Sequence, residues 1–384
     1  MKTLTEIFTP EELESMTRPL GAATAPPATY YTSPELYELE REHIFRKEWL
    51  WVGHAQDVRE PGSYFTFEYA GEPILVTRDK TGQLNAFSNV CRHRGAIVAE
   101  GAGTCKSFSC PYHTWTYGHD GKLLGAPAMD GVENFDKNQY GLRALKVEDW
   151  YGNIMVNFDP ECLPLSTVVG DLDDMFKKYD QGDLVVTARR VHEIPCNWKM
   201  LVENNMEGYH FLGTHKAPGE YNRFKNWSTE DGSPDNTFNL LLGKFPEPLT
   251  MNVPGSGEAA VECLPGLTEE DKRTSAFVTL YPTSFWPLQP DSVLCGHFVP
   301  DGVDKTKWIA NYLFPESTVA RSDFQEIEQA SLEGSEGFIK EDHDVLEQTY
   351  LGYQSRGFSP GPLSLHERNI HSFVQWVLAR IPAT

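Results

Sequence analysis

Cys91-Arg92-His93 and Cys110-Pro111-Tyr112-His113 are the two stretches whose reading decides this chain. Each offers one thiolate and one imidazole, and 16 residues separate His93 from Cys110. Ligands this close together in a turn point into one small volume. Two Cys with two His read either as a tetrahedral zinc site or as a two-iron, two-sulfide cluster with Cys on one iron and His on the other. Spacing alone does not separate the two. A Cys2His2 zinc finger places a Cys pair before a helix and a His pair at its end. Here each pair is mixed and sits in a loop after strand-like sequence, and Trp115 and Tyr117 follow the second pair.

The 384 residues suit two domains rather than one, and 40% hydrophobic with 12% aromatic residues is ample material for globular cores. Against 55 acidic residues stand 33 basic ones, a formal charge of −22. That balance argues against nucleic acid and anionic membrane as partners and leaves room for a basic redox protein. Seven Cys form no disulfide framework; Cys105, Cys162, Cys196, Cys263 and Cys295 read as reduced thiols. The first residues resemble no signal peptide, and no stretch approaches the roughly 18 apolar residues of a spanning helix. A cytoplasmic protein is the expectation.

Along the chain, Pro10 to Met16 reads as a short helix. Ser33-Pro34-Glu35-Leu36 opens another, with Ser as cap and Pro in the first turn. From Trp51 the period turns to strands: 63–69, 73–77 and 84–87, then the two ligand loops, a hairpin at His119-Asp120-Gly121 and a strand over 150–158. Residues 46–160 therefore read as an all-β domain built around the loops, with 1–45 a helical segment packing on a second domain, 161–384. There a helix is expected over 166–182, strands at 185–188 and 190–194, and an irregular Pro/Gly/Asn-rich cover of the active site over 215–270. Strands return at 276–281, 293–299 and 308–314, followed by a long helix from Arg321 to Tyr353 and a C-terminal helix from Ser364. The class is α+β, the second domain an antiparallel sheet covered by helices. Gly255-Ser256-Gly257-Glu258-Ala259-Ala260 matches a dinucleotide fingerprint in letters but lacks its strand–turn–helix setting.

A second metal site lies in Asn197 to His215, read as one helix carrying Glu207 and His210 three residues apart on one face. His215 falls about 140° from His210 on an ideal helix, so both reach one metal only if the helix breaks near Gly213. A carboxylate would complete the 2-His-1-carboxylate face that holds Fe(II) with open positions. Glu341, Asp342 and Asp344 are the candidates. Asp342 shares a face with Val345, Leu346 and Thr349 and is the choice that points inward.

With both sites read, the chain resembles the large (α) subunit of Rieske non-haem iron oxygenases, which include aromatic-ring-hydroxylating dioxygenases and choline or glycine-betaine monooxygenases. The resemblance runs from Tyr30 to the C-terminus. It rests on the cluster motif, the Asn197-Trp198-Lys199 lead-in, the Glu203-Asn204 pair, Tyr209-His210 with His215, and Asp342 five residues before Glu347. It implies that Cys91, His93, Cys110 and His113 bind a Rieske [2Fe–2S] cluster, and that His210, His215 and Asp342 bind mononuclear Fe(II). It places Asn204 and Glu207 among the catalytic positions. In the family, electrons cross between subunits of a homotrimer or larger ring through an acidic bridge, whose position Glu207 matches. Asp is common there in the aromatic dioxygenases, and Glu in members acting on quaternary ammonium compounds. O2 is the co-substrate, and NAD(P)H serves only through a separate reductase or ferredoxin. The expected reaction is hydroxylation or demethylation of a small organic substrate, a betaine-, carnitine- or choline-like compound favoured. Tyr281, Phe285 and Trp286 are offered as a cation–π box. The alternatives are dihydroxylation of an arene or aromatic acid and, in another class, an electron-transfer protein with the cluster alone.

Overall fold

The computed structural model describes residues 2–179, 181–215, 223–230, 237–249 and 261–383. They form two compact units: Phe45–Leu163, and Met1–Ile44 together with Pro164–Thr384. The dinucleotide-like Gly255–Ala260 stretch lies outside the described residues.

The 45–163 unit is all β. A seven-stranded antiparallel sheet is ordered β1 (Leu50–His54), β10 (Asn153–Asn157), β9 (Ala144–Trp150), β4 (Leu84–Ser88), β3 (Glu72–Arg78), β2 (Ser63–Tyr69) and β5 (Ala102–Thr104). A small sheet of β6 (Phe108–Ser109), β7 (Thr116–Tyr117) and β8 (Leu123–Gly125) carries the second ligand loop between its first two strands. The single strand expected over 150–158 is instead a hairpin turn followed by β10. Tyr151 and Gly152 both take positive φ, 49° and 81°, and reverse the chain tightly. Under the loops lies a core of Leu75, Phe87, Val98, Phe108, Trp115, Tyr117, Leu123 and Leu142, which also receives Cys91 and Cys110.

The other unit is built on a second seven-stranded antiparallel sheet. Its order is β11 (Val185–Ile194), β17 (Thr306–Phe314), β16 (Val293–Pro300), β15 (Ser284–Leu288), β14 (Thr274–Leu280), β13 (Phe238–Lys244) and β12 (Trp227–Glu230). The two strands expected at 185–188 and 190–194 are one, with a register shift between Val186 and Ala188. β12 and β13 fall in the stretch read as irregular; Pro and Gly around them mask two short strands that extend the sheet. The helix expected over 166–182 is two, Leu165–Val169 and Leu172–Tyr179, divided at Gly170 with φ +50°. The long helix spans Phe324–Tyr353, and the last runs Arg368–Arg380 after a 3-10 turn capped by Ser364. The expected cap at Ser33 is present, its side chain accepting from Leu36 N–H at 3.1 Å.

The short helix Trp198–Asn204 is the hinge between core and site. Trp198 and Lys199 both donate to Glu40, and Lys199 and Glu40 are fully buried. One turn on, Glu203 accepts from the Tyr31 hydroxyl at 2.7 Å. Burial pushes the Glu203 carboxyl up to about 8, although the Tyr31 hydrogen bond and Lys199 oppose the rise. An unfolded Glu titrates near 4.3, so between those values the folded chain binds the extra proton, and this group's contribution to stability falls as pH rises. Glu203→Gln, which has no charge to bury, should therefore gain stability relative to the parent as pH rises from about 5 to 8. Urea unfolding of both proteins at several pH values measures this; a pH-independent difference would mean Glu203 does not titrate there.

Candidate metal centres

The two loops of the β unit share one backbone design. Cys91 N–H donates to Ala96 O at 2.8 Å, and Gly95 N–H to Cys91 O at 3.0 Å. Cys110 N–H donates to Trp115 O at 2.8 Å, and Thr114 N–H to Cys110 O at 2.9 Å. The fifth residue of each takes positive φ, Gly95 at 76° and Thr114 at 57°. A β-branched residue resists that conformation, so Thr114 is held there by the loop around it. Both cysteines are buried, while His93 is exposed and His113 half-buried. The imidazoles lie edge to face with ring centres 4.6 Å apart. His93 stacks on Trp115 at 4.8 Å, and His113 on Tyr112 at 3.8 Å.

Tyr117 fixes the thiol side. Its hydroxyl accepts from Arg92 N–H at 3.1 Å and lies 3.2 Å from Cys91 Sγ, within hydrogen-bond reach of the sulfur. Burial first, then Cys91, raises its pKa, so the phenol keeps its proton. Nδ1 of His113 is buried with no hydrogen-bond partner among the described residues, as a nitrogen reserved for a metal should be. Burial, His93 and Arg94 all lower the His113 pKa, favouring the neutral imidazole a metal needs.

The donor set also speaks to the metal. A single tetrahedral ion gathers all its ligand atoms within a few ångströms. Among the described residues, the group of such side chains whose ligand atoms all lie within 4.8 Å of one another is His210, His215 and Asp342, with no three of the Cys/His four among them. Two thiols with two imidazoles match the donor set of a two-iron cluster with Cys on one iron and His on the other.

The second centre arises where the expected 197–215 helix fails to continue. The helix stops at Asn204, capped by Asn205, and a new 3-10 turn spans Tyr209–Leu212. Glu207 makes the break. Its Oε2 accepts from Tyr209 N–H and, at 3.1 Å, from His210 N–H, capping the new turn. Its Oε1 meets His210 Nδ1 at 2.6 Å. Glu207 and His210 thus pair through this cap rather than along one helix face; the chain breaks an extra time before Gly208, and the turn carrying His210 ends at Gly213 as the spacing required.

Asp342 enters from the long helix. Its Oδ1 lies 3.5 Å from Nε2 of both His210 and His215, and Asn204 Nδ2 stands 3.5 Å from the same oxygen. Glu341, weighed against Asp342 as a ligand, meets His215 Nδ1 at 3.0 Å instead. Both Nδ1 atoms are thus taken by carboxylates, and both Nε2 atoms face Asp342. Burial raises the Asp342 carboxyl although His210 and His215 pull it down. Burial works against the charged form of His210 too, but Glu207 and Asp342 leave its pKa raised. Carboxylates around two imidazoles, with two nitrogens converging on one oxygen, fit a divalent cation.

A cavity of about 370 Å³ opens from these residues between the sheet and the long helix. Phe277, Phe285, Trp308, Tyr312 and Phe338 form much of its wall, and its described lining holds no Lys or Arg. Of the three aromatics offered as a box, Phe285 alone lines it. Trp286 packs on Phe176 instead, because alternate residues of β15 face opposite sides of the sheet, and Tyr281, in the turn before β15, packs on Phe373 and Trp376. Phe338 had a readable signal, lying one helical turn before Asp342 on its face. Trp308 and Tyr312 had none beyond alternation along β17.

Comparison with known proteins agrees with this geometry. Residues 48–136 match the Rieske [2Fe–2S] domain and residues 182–383 the ring hydroxylating alpha subunit (catalytic domain). The carnitine monooxygenase oxygenase subunit of Acinetobacter baumannii is 36% identical over 220 residues, which cover 54% of this chain and 58% of that protein. The chloroplastic choline monooxygenase of Beta vulgaris is 29% identical over 363 residues, 92% of this chain and 76% of that one. A crystal structure of a quaternary ammonium Rieske monooxygenase with γ-butyrobetaine superposes with a TM-score of 0.79 at 25% identity, over 96% of this chain and 98% of the other. The match to the carnitine enzyme thus spans little more than half its length. No helix among the described residues is long and apolar enough to cross a membrane. The chain belongs to the ring-hydroxylating alpha subunit family, carrying a Rieske [2Fe–2S] domain ahead of the family's catalytic domain.

Proposed function

We propose that the chain is the terminal oxygenase of a Rieske-type system, hydroxylating or demethylating a small quaternary ammonium compound with O2 and electrons from a separate reductase or ferredoxin. The observation that carries this is the His210/His215/Asp342 triad opening into an aromatic-walled cavity. Aromatic faces and carboxylates, with no Lys or Arg in the described lining, suit a cationic head group better than an aromatic acid. The relatives named for carnitine and choline point the same way. Residues 46–160 are assigned to the cluster domain and 161–384 to catalysis, with 1–45 belonging to the latter.

Cys91, His93, Cys110 and His113 would hold the cluster, and His210, His215 and Asp342 the iron. When bound, these groups supply single electrons and the site of O2 reduction from which oxygen enters a substrate C–H bond. The protein's own part is separate. Tyr117 stands within hydrogen-bond reach of Cys91 and Trp115 shields His93. Glu207 holds the Nδ1 proton of His210, while Asn204 steadies Asp342. The apolar cavity wall excludes water from the reacting carbon. In a homotrimer, Glu207 would also accept a hydrogen bond from the N–H of a cluster histidine of the neighbouring copy; inter-subunit electron transfer is a feature of the quaternary ammonium Rieske monooxygenase it resembles.

Metal and sulfide analysis of protein purified without oxygen tests the reading. About three irons and two sulfides per chain, with a brown reducible chromophore, are expected. Two irons alone would leave an electron carrier, and zinc without colour would overturn the assignment. Product analysis with choline, glycine betaine, carnitine and benzoate then separates the substrate classes.

A further inference from the structure

We propose that Glu341 is a positioning residue for His215, accepting the proton on its Nδ1 and turning its Nε2 to the metal position. This rests on the iron-site reading above. His215 Nδ1 and Glu341 Oε2 are 3.0 Å apart, a hydrogen bond that only the Nδ1–H tautomer makes with a carboxylate. That tautomer leaves the lone pair on Nε2, which stands 3.5 Å from Asp342 Oδ1. The ring is almost wholly buried between Phe211 and Phe338, at 5.0 and 4.8 Å, so apolar contacts fix its place but not its flip. A flip would put Cδ2 in the place of Nδ1 and Cε1 in the place of Nε2, and the Glu341 hydrogen bond holds the ring against it.

The helix explains why one residue pair does both jobs. Adjacent helical side chains diverge by about 100°, so Asp342 reaches the metal position while Glu341 reaches the flank of the same imidazole. Glu341 is partly exposed, with 37% of its side chain open to solvent. His210 has the same arrangement with Glu207, but that carboxylate comes from its own turn. Glu341 therefore ties His215 to the long helix, where Glu207 ties His210 only to its own loop.

The test uses full-length enzyme that keeps its cluster, stripped of mononuclear metal by a mild chelator. It is titrated with Co(II) and followed by visible absorption. Glu341→Ala should weaken Co(II) binding about 10- to 100-fold, the usual loss for an outer-shell partner, with the cluster spectrum unchanged. Glu341→Gln, whose amide oxygen still accepts from Nδ1–H, should stay within about threefold of the parent, because a neutral acceptor replaces a charged one. The proposal is overturned if Glu341→Ala binds Co(II) as tightly as the parent. It is equally overturned if the Gln variant is as weak as the Ala variant, which would make charge and not the hydrogen bond responsible. Failure of the parent itself to bind Co(II) would instead sink the iron-site reading.

Discussion

Asp342→Ala should abolish oxygenase turnover while leaving the brown cluster chromophore untouched. Its carboxylate is the atom on which both imidazoles converge, at 3.5 Å from each Nε2. Removing it leaves two neutral nitrogens to hold a dication in a buried pocket, a set with too few ligands and no compensating charge on the metal's inner face. Outer-shell losses cost 10–100-fold in metal affinity, and loss of a ligand itself should exceed about 100-fold. The cluster loops belong to the other compact unit. Iron analysis should fall from about three to about two per chain with sulfide unchanged. Retention of the third iron at parent affinity would show that Asp342 is not a ligand.

Most of the donor chemistry was legible because it is local. Cys91-x-His93 and Cys110-x-x-His113 declare themselves by spacing, and His210 and His215 lie within one short stretch. Asp342 is more than a hundred residues away, and choosing it over Glu341 needed only that one helix face point inward. The same helix gave Glu341 its place, yet its role was not legible, since whether a carboxylate meets metal or imidazole depends on a 100° turn of the helix that sequence spacing does not anchor. The 197–215 helix was misread for a related reason. Its apolar pattern continues past Asn204, but Glu207 can satisfy the Tyr209 and His210 amides with its own side chain, and that local bond competes with the helix. The strands β12 and β13 were hidden by the Pro and Gly around them, whereas Trp286 in the aromatic box is a failure of face assignment: a one-residue shift in a strand exchanges core and cavity.

Glu207→Gln is the second decisive substitution, and its value is that it separates holding metals from using them. Glu207 does two things with two oxygens: Oε2 caps the Tyr209–Leu212 turn, and Oε1 takes the proton on His210 Nδ1. Glutamine keeps the shape, and its carbonyl oxygen can satisfy one of these roles, so His210 should stay in place and both metals should stay bound. What it loses is the charge, and with it the ability to accept protons from two imidazoles at once. A neutral amide that points oxygen at His210 must point N–H groups at the other partner, where the proposed neighbouring cluster histidine also offers a proton. Two donors then face each other, and the bridge opens. Turnover should therefore fall by about 100-fold, at the upper end of outer-shell effects, with about three irons and two sulfides still present per chain. Single-turnover reactions starting from a pre-reduced cluster locate the loss: slow cluster reoxidation in the presence of substrate and O2 is the expected signature. Reoxidation at the parent rate would remove Glu207 from the electron path and leave it as the cap of the His210 turn.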